Sequence, residues 1–128
     1  MLTLASTVPI FLCRDPADLR KSFDGLAALV REALGADPLS GHLFVFRNKR
    51  GDRLKILLWD RDGFLIFYKR LEEGNFQFPL GRCDEKATSI AVRPEDLAML
   101  LAGIDLASVR RRKRYGRPPE TTIRMKEK

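Results

Sequence analysis

The apolar positions along the chain change period several times, and each change marks an element. Leu19, Phe23, Leu26, Leu29, Val30, Ala33 and Leu34 recur at helical spacing and give one apolar face. Asp15-Pro16 ahead of them supplies a capping carboxylate and a proline suited to the first helical position, with Asp18 adding negative charge to the first turn. Gly35 and then Asp37-Pro38 supply the stop. This pattern predicts a long N-terminal helix that begins at Asp15-Pro16. Gly25 inside it costs about 1 kcal/mol relative to alanine, and a close approach by another backbone would account for its presence.

The period then switches to two. His42–Arg47, Arg53–Trp59 and Phe64–Lys69 read as strands, separated by Asn48-Lys49-Arg50-Gly51-Asp52 and by Asp60-Arg61-Asp62-Gly63. Both connectors have hairpin length with glycine near the end, which predicts an antiparallel meander. In the middle run Leu54, Ile56 and Leu58 share one face, and Lys55, Leu57 and Trp59 share the other. That second face is only partly polar, so another element is expected to cover much of it. Periodicity lapses from Glu72 to Lys86, a stretch punctuated by Gly74, Pro79 and Gly81. A short strand follows at Ser89–Val92, and Arg93-Pro94-Glu95-Asp96 opens a shorter C-terminal helix with Leu97, Leu100, Leu101 and Ile104 on one face. Met1–Cys13 carries no charge, but it lacks the basic start of an export signal and is broken by Pro9. It reads as leading into a buried first strand. No apolar run approaches the roughly 20 residues that span a bilayer.

The expected architecture is therefore an α+β domain over residues 1–108: an antiparallel β-meander packed with a long N-terminal helix and a shorter C-terminal helix. A basic tail, residues 109–128, is expected to be disordered on its own. Charge sharpens this division. Up to Ser108 the chain has 15 basic and 15 acidic residues, and the remainder has 9 basic and 2 acidic, so the tail holds the whole net charge of +7. A neutral body with a basic tail suits a polyanion partner, although tails also serve only solubility. With 128 residues and 45% hydrophobic content, one core is expected. Two cysteines, Cys13 and Cys83, read as reduced thiols of a cytoplasmic protein. One histidine and no CxxC pair leave too few ligands for structural zinc.

Chemistry has few candidates. Asp60 and Asp62 form a close acidic pair of the kind that holds Mg²⁺, but Arg61 stands between them and Asp-Arg-Asp-Gly is also turn chemistry. His42 has no assigned acid or nucleophile partner, and neither a nucleophile elbow nor a phosphate-cradling glycine loop occurs. No catalytic residue and no cofactor is expected. The basic positions are more informative. Arg47, Lys49, Arg50, Arg53 and Lys55 surround one hairpin, opposed only by Asp52, and Arg110, Arg111, Arg112, Lys113 and Arg114 are consecutive. Such groups bind phosphates by releasing counterions, or stand as ordinary solvated charges that protect a sheet edge. Tyr115 offers a stacking surface, as do some of Phe44, Phe46, Trp59, Phe64, Phe67 and Tyr68, although core packing is the commoner use of strand aromatics. Anionic lipid is a weaker choice, since no apolar face accompanies the basic run.

Several segments together resemble a known family. They are Leu19-Arg20-Lys21-Ser22-Phe23-Asp24-Gly25-Leu26, Ser40–Arg47, Gly51-Asp52-Arg53-Leu54-Lys55, Trp59–Phe64, Tyr68–Phe76 and Leu97–Leu106. In this order and spacing they resemble the small accessory proteins of "insertion sequence 66" elements, over roughly Ile10 to Leu106. Leu19 stands where methionine is usual, Gln77-Phe78-Pro79 replaces a tryptophan-proline ending, and the basic tail lies outside the shared pattern. The resemblance implies a role in DNA transposition beside a separate transposase that carries the acidic catalytic residues. DNA at the element ends and that transposase are the expected partners, with no membrane. The alternative expectation is an adaptor that docks on the transposase without touching DNA. With about six phosphates neutralised, log K would fall against log[salt] with a slope of about −5.

Overall fold

Leu43, Phe44, Val45 and Phe46 are all buried, so the strand they form needs apolar cover on both sides. A computed structural model, which describes residues 7–105 and 110–111, shows how that cover is supplied. The elements are β1 (Ile10–Cys13), α1 (Phe23–Glu32), β2 (Leu43–Arg47), β3 (Arg53–Asp60), β4 (Gly63–Arg70), β5 (Ser89–Val92), α2 (Pro94–Leu101), β6 (Ile104–Asp105) and β7 (Arg110–Arg111). The first five strands form one sheet in the order β4-β3-β2-β1-β5. The α+β class is as expected, but the sheet is mixed rather than a plain antiparallel meander. β2, β3 and β4 pair antiparallel in sequence, whereas β1 lies parallel to β2, with Ile10 opposite Leu43. Parallel neighbours need a crossover, and α1 provides it.

Alternation then sorts side chains to two cores. Ile10, Leu12, Leu43, Val45, Leu54, Ile56, Ile90 and Val92 face one side, where Leu97 and Leu100 of α2 and Phe76 and Phe78 of the β4–β5 connection cover them. Cys13, Phe44, Phe46 and Leu57 face the other side, under Leu19, Leu26, Ala27 and Val30. The face of β3 that carries Lys55 and Leu57 is thus covered by α1. Cys83 packs against the first core and Cys13 lies in the second. The sheet separates the two free thiols, and burial raises the Cys13 pKa.

The expected long N-terminal helix is corrected. It has 10 residues and starts at Phe23, eight positions after Asp15. Residues 14–22 spend their polar groups elsewhere. Asp15 pairs with Arg14, the Ala17 N–H donates to the Arg47 carbonyl at the end of β2 (2.8 Å), and Asp18 Oδ1 accepts from the Arg20 N–H (3.0 Å). These bonds lead the chain over the sheet before it can coil. The C-terminal signal does act as expected: Gly35 is left-handed (φ 62°), and the Ala36 N–H closes the end on the Val30 carbonyl. Gly25 makes room for a side chain rather than a backbone, since a Cβ there would lie 2.9 Å from the Lys21 Cβ.

α2 begins as expected, with Pro94 in its first turn and the Asp96 carboxylate accepting from the Arg93 N–H. Ile104 does not continue it. Gly103 (φ 88°) ends the helix, and Ile104–Asp105 pairs antiparallel with Arg110–Arg111. The expected disorder of the tail concerns residues that, apart from Arg110 and Arg111, lie outside those described.

Gly51 is the glycine on which the β2–β3 turn depends. It is left-handed (φ 80°), and an added Cβ would meet the Asn75 Cβ at 3.1 Å. Gly51→Ala is expected to cost about 1–2 kcal/mol, the penalty of that backbone region for an L side chain. Urea denaturation should show it as a lower midpoint with an unchanged slope.

Candidate functional site

The β2–β3 turn is folded around Asn48. Its backbone N–H donates to the Arg53 carbonyl (3.2 Å), its side-chain oxygen accepts from the Arg53 N–H (3.0 Å), and its side-chain amide donates to Asp52 Oδ1 (2.8 Å). That last bond, first among the causes, holds the Asp52 carboxyl below the usual carboxylate range. The turn is also fastened from behind. The Phe76 N–H donates to the Gly51 carbonyl (2.7 Å) and the Leu71 N–H to the Asp52 carbonyl (2.8 Å). Lys49 and Arg50 project from this braced tip and are exposed.

Beside the tip, the Ala17–Arg20 segment and Tyr68 of β4 complete an open cleft of about 380 Å³. Arg20, Lys49, Arg50 and Arg53 line it, against Asp18 and Asp52. Asp18 and Arg20 grip each other through two parallel bonds, Nε to Oδ1 at 3.0 Å and Nη2 to Oδ2 at 2.9 Å. This grip, with the Arg20 N–H assisting, pushes the Asp18 carboxyl down to about 2. Arg53 Nη1 donates to the Tyr68 hydroxyl (3.0 Å). Lys49 and Arg50 make no side-chain hydrogen bond to another described residue.

The five hairpin cations singled out in the sequence thus divide. Lys49, Arg50 and Arg53 gather at the cleft. Lys55 points under α1 and is 9% exposed; its ammonium donates to the Lys21 carbonyl (2.9 Å) and sits 4.8 Å from the centre of the Tyr68 ring. Arg47 turns to the opposite core. Its guanidinium lies 4.9 Å from the Phe78 ring centre, Nη2 donates to the Arg14 carbonyl (2.9 Å), and desolvation lowers its pKa. Both groups make their contacts within the fold. Arg110 and Arg111 lie on β7, while Arg112, Lys113, Arg114 and Tyr115 lie outside the described residues. Tyr68 and Arg20 join the cleft through folding alone. Tyr68 pairs in register with Lys55, and Arg20 is brought across by the Ala17–Arg47 bond.

The remaining candidates take structural positions. Asp60 and Asp62 flank a tight turn in which Arg61 is left-handed (φ 58°). His42 lies just before β2 with its ring 5.7 Å from that of Phe11. Among the described residues no group of three or more His, Cys, Asp or Glu side chains gathers where a metal would be held. No helix among them is long and apolar enough to cross a membrane.

Comparison with known proteins places these features in context. A family model described as "IS66 Orf2 like protein" matches residues 8–111. Two proteins of Sinorhizobium fredii (strain NBRC 101917 / NGR234) are similar along most of their length. Uncharacterized protein y4jC is 42% identical over 103 residues, covering 80% of this chain and 85% of its own. Uncharacterized protein y4hO is 38% identical over 105 residues, covering 82% and 88%. No solved structure matches the chain.

Two outcomes follow from the division of cations. Lys55→Ala is expected to lower stability by about 2 kcal/mol, because a part-buried, charge-assisted bond to the Lys21 carbonyl is lost, whereas Lys49→Ala should stay within about 0.5 kcal/mol of the parent. Urea midpoints for the two variants check both. For Asp18, the folded value lies below the unfolded one of 3.8. Its stabilising contribution is therefore complete above pH 3.8 and fades as the pH falls towards 2. Carboxyl-carbon NMR should find a titration midpoint near 2, and Arg20→Ala should return it towards 3.8.

Proposed function

The chain belongs to the IS66 Orf2-like family, and from that premise we propose that it is a non-catalytic accessory protein of DNA transposition that holds DNA at the element ends, or a transposase–DNA complex, through the β2–β3 tip. The observation that carries this reading is the cleft itself. Lys49 and Arg50 stand exposed on a turn whose backbone is tied to the loop behind it, with Arg53 and Arg20 beside them. Cations held on a rigid support lose little freedom when they meet phosphate, and each contact releases condensed counterions. Arginine adds a planar fork that matches two phosphate oxygens. The Arg110–Arg114 run extends the same chemistry along the chain.

With Arg47 and Lys55 committed to the fold, three hairpin cations remain for phosphates. The triple variant Lys49→Ala/Arg50→Ala/Arg53→Ala in the full chain is expected to flatten the slope of log K against log[salt] by about 3. Fluorescence anisotropy with duplex DNA from the element ends, across a salt series, measures it. An unaltered slope would remove the cleft from the DNA contact.

A second reading is an adaptor that docks on the transposase without DNA. It is favoured by β4, which forms one edge of the sheet over eight residues and leaves Leu65 half exposed. Such edges accept a further strand from a partner. Co-purification with the element's transposase after nuclease treatment, equally strong for the parent and the triple variant, would select this reading.

A further inference from the structure

Among the described residues Tyr68 is the one aromatic side chain that lines the cleft, and both its ring and its hydroxyl have partners. The Lys55 ammonium lies against one face of the ring, 4.8 Å from its centre, and Arg53 Nη1 donates to the hydroxyl at 3.0 Å. The side chain is nonetheless 49% exposed. A ring held in this way, half exposed and with cations lining the same cleft, is a platform for a planar group attached to an anion. We propose that the cleft seats one unpaired nucleotide of a single-stranded DNA segment, its base stacked on Tyr68 and its neighbouring phosphates on Lys49 and Arg50.

This deepens the proposed DNA-binding function and rests on it. Three observations favour an unpaired nucleotide over other polyanions. The cleft volume, about 380 Å³, falls at the lower end of the ~300–1,000 Å³ typical of small-molecule sites. Bases inside a duplex are already stacked on one another, so only an unpaired base can stack on the half-exposed Tyr68 ring. Finally, Asp18 and Asp52 line the cleft beside the cations. Carboxylates there oppose an acidic peptide, which brings no hydrogen-bond donors on its side chains, but they accept from the N–H groups on a base edge.

The test uses the full-length chain and three probes of equal length at low salt: a labelled oligothymidine strand, a duplex and oligoglutamate. The parent is expected to bind the single strand about tenfold more tightly than the duplex. Tyr68→Leu should lose about tenfold in single-strand affinity with duplex affinity unchanged, and Tyr68→Phe should keep most of it, because the ring does the stacking. Circular dichroism melts establish that these variants are folded. An independent measurement places the only tryptophan in the cleft, with Tyr68→Trp in a Trp59→Phe background. Oligothymidine should quench its fluorescence and the duplex should not. The inference is overturned if folded Tyr68→Leu keeps its single-strand affinity, if no quenching occurs, or if duplex or oligoglutamate binds as tightly as the single strand. Duplex binding with the predicted salt response would survive those outcomes and leave the DNA-binding function standing. Loss of all nucleic-acid binding would overturn both.

Discussion

The parallel pairing of β1 with β2 is the constraint from which the remaining architecture follows. Two parallel neighbours cannot be joined by a tight turn, so the chain must leave the sheet and return along one face. α1 is that return path, and its Leu26, Ala27 and Val30 complete the core over Phe44, Phe46 and Leu57. Once one face is covered, the other still holds Leu43, Val45, Leu54 and Ile56, and α2 with Phe76 and Phe78 closes it. The approach to α1 is part of the same arrangement. The Ala17 N–H must reach the end of β2, and this bond carries Asp18 and Arg20 to the mouth of the β2–β3 turn. The cleft is a by-product of how the crossover begins.

Much of this was legible in residue order. Period-two alternation places β2, β3, β4 and β5 within a residue or so of their bounds, because each strand buries alternate side chains in one core or both. Gly35 marks the end of its helix because it adopts a positive φ that most residues avoid. What escaped was non-local. Asp15-Pro16 satisfies every short-range rule for a helix start, yet the bond from Ala17 to Arg47 competes with coiling and wins. The partner of β1 is equally hidden, since nothing within Ile10–Cys13 distinguishes a parallel neighbour from an antiparallel one. Ile104 continues the helical spacing in sequence but follows a left-handed Gly103, and the backbone overrules the pattern.

The cations show the same limit at the level of single side chains. A lysine in an alternating strand is ordinarily taken as facing water, and Lys55 would be so taken if its strand lay on the outside. Its flanking Leu57 and the apolar stripe of α1 instead bring cover to that face, and the ammonium finds the Lys21 carbonyl and the Tyr68 ring. Arg47 is drawn to Phe78 by a comparable route. Charge clustering in the sequence pointed to the β2–β3 turn, where Lys49, Arg50 and Arg53 gather, but gave no sign that Arg47 and Lys55 make contacts within the fold. Arg20 was not singled out for the complementary reason: its place in the cleft depends on neighbours supplied by distant segments.

The bond from the Phe76 N–H to the Gly51 carbonyl has a bearing on how this protein can vary. It joins the turn that carries the exposed cations to a phenylalanine seated in the core on one side of the sheet. An extra residue between Asn48 and Asp52 would either break that bond or pull Phe76 from its seat. The length of the turn is consequently set from within, by packing, rather than by whatever the tip touches. The tip is open to exchange of side chains but closed to insertion, which makes the loop a fixed frame with replaceable contents.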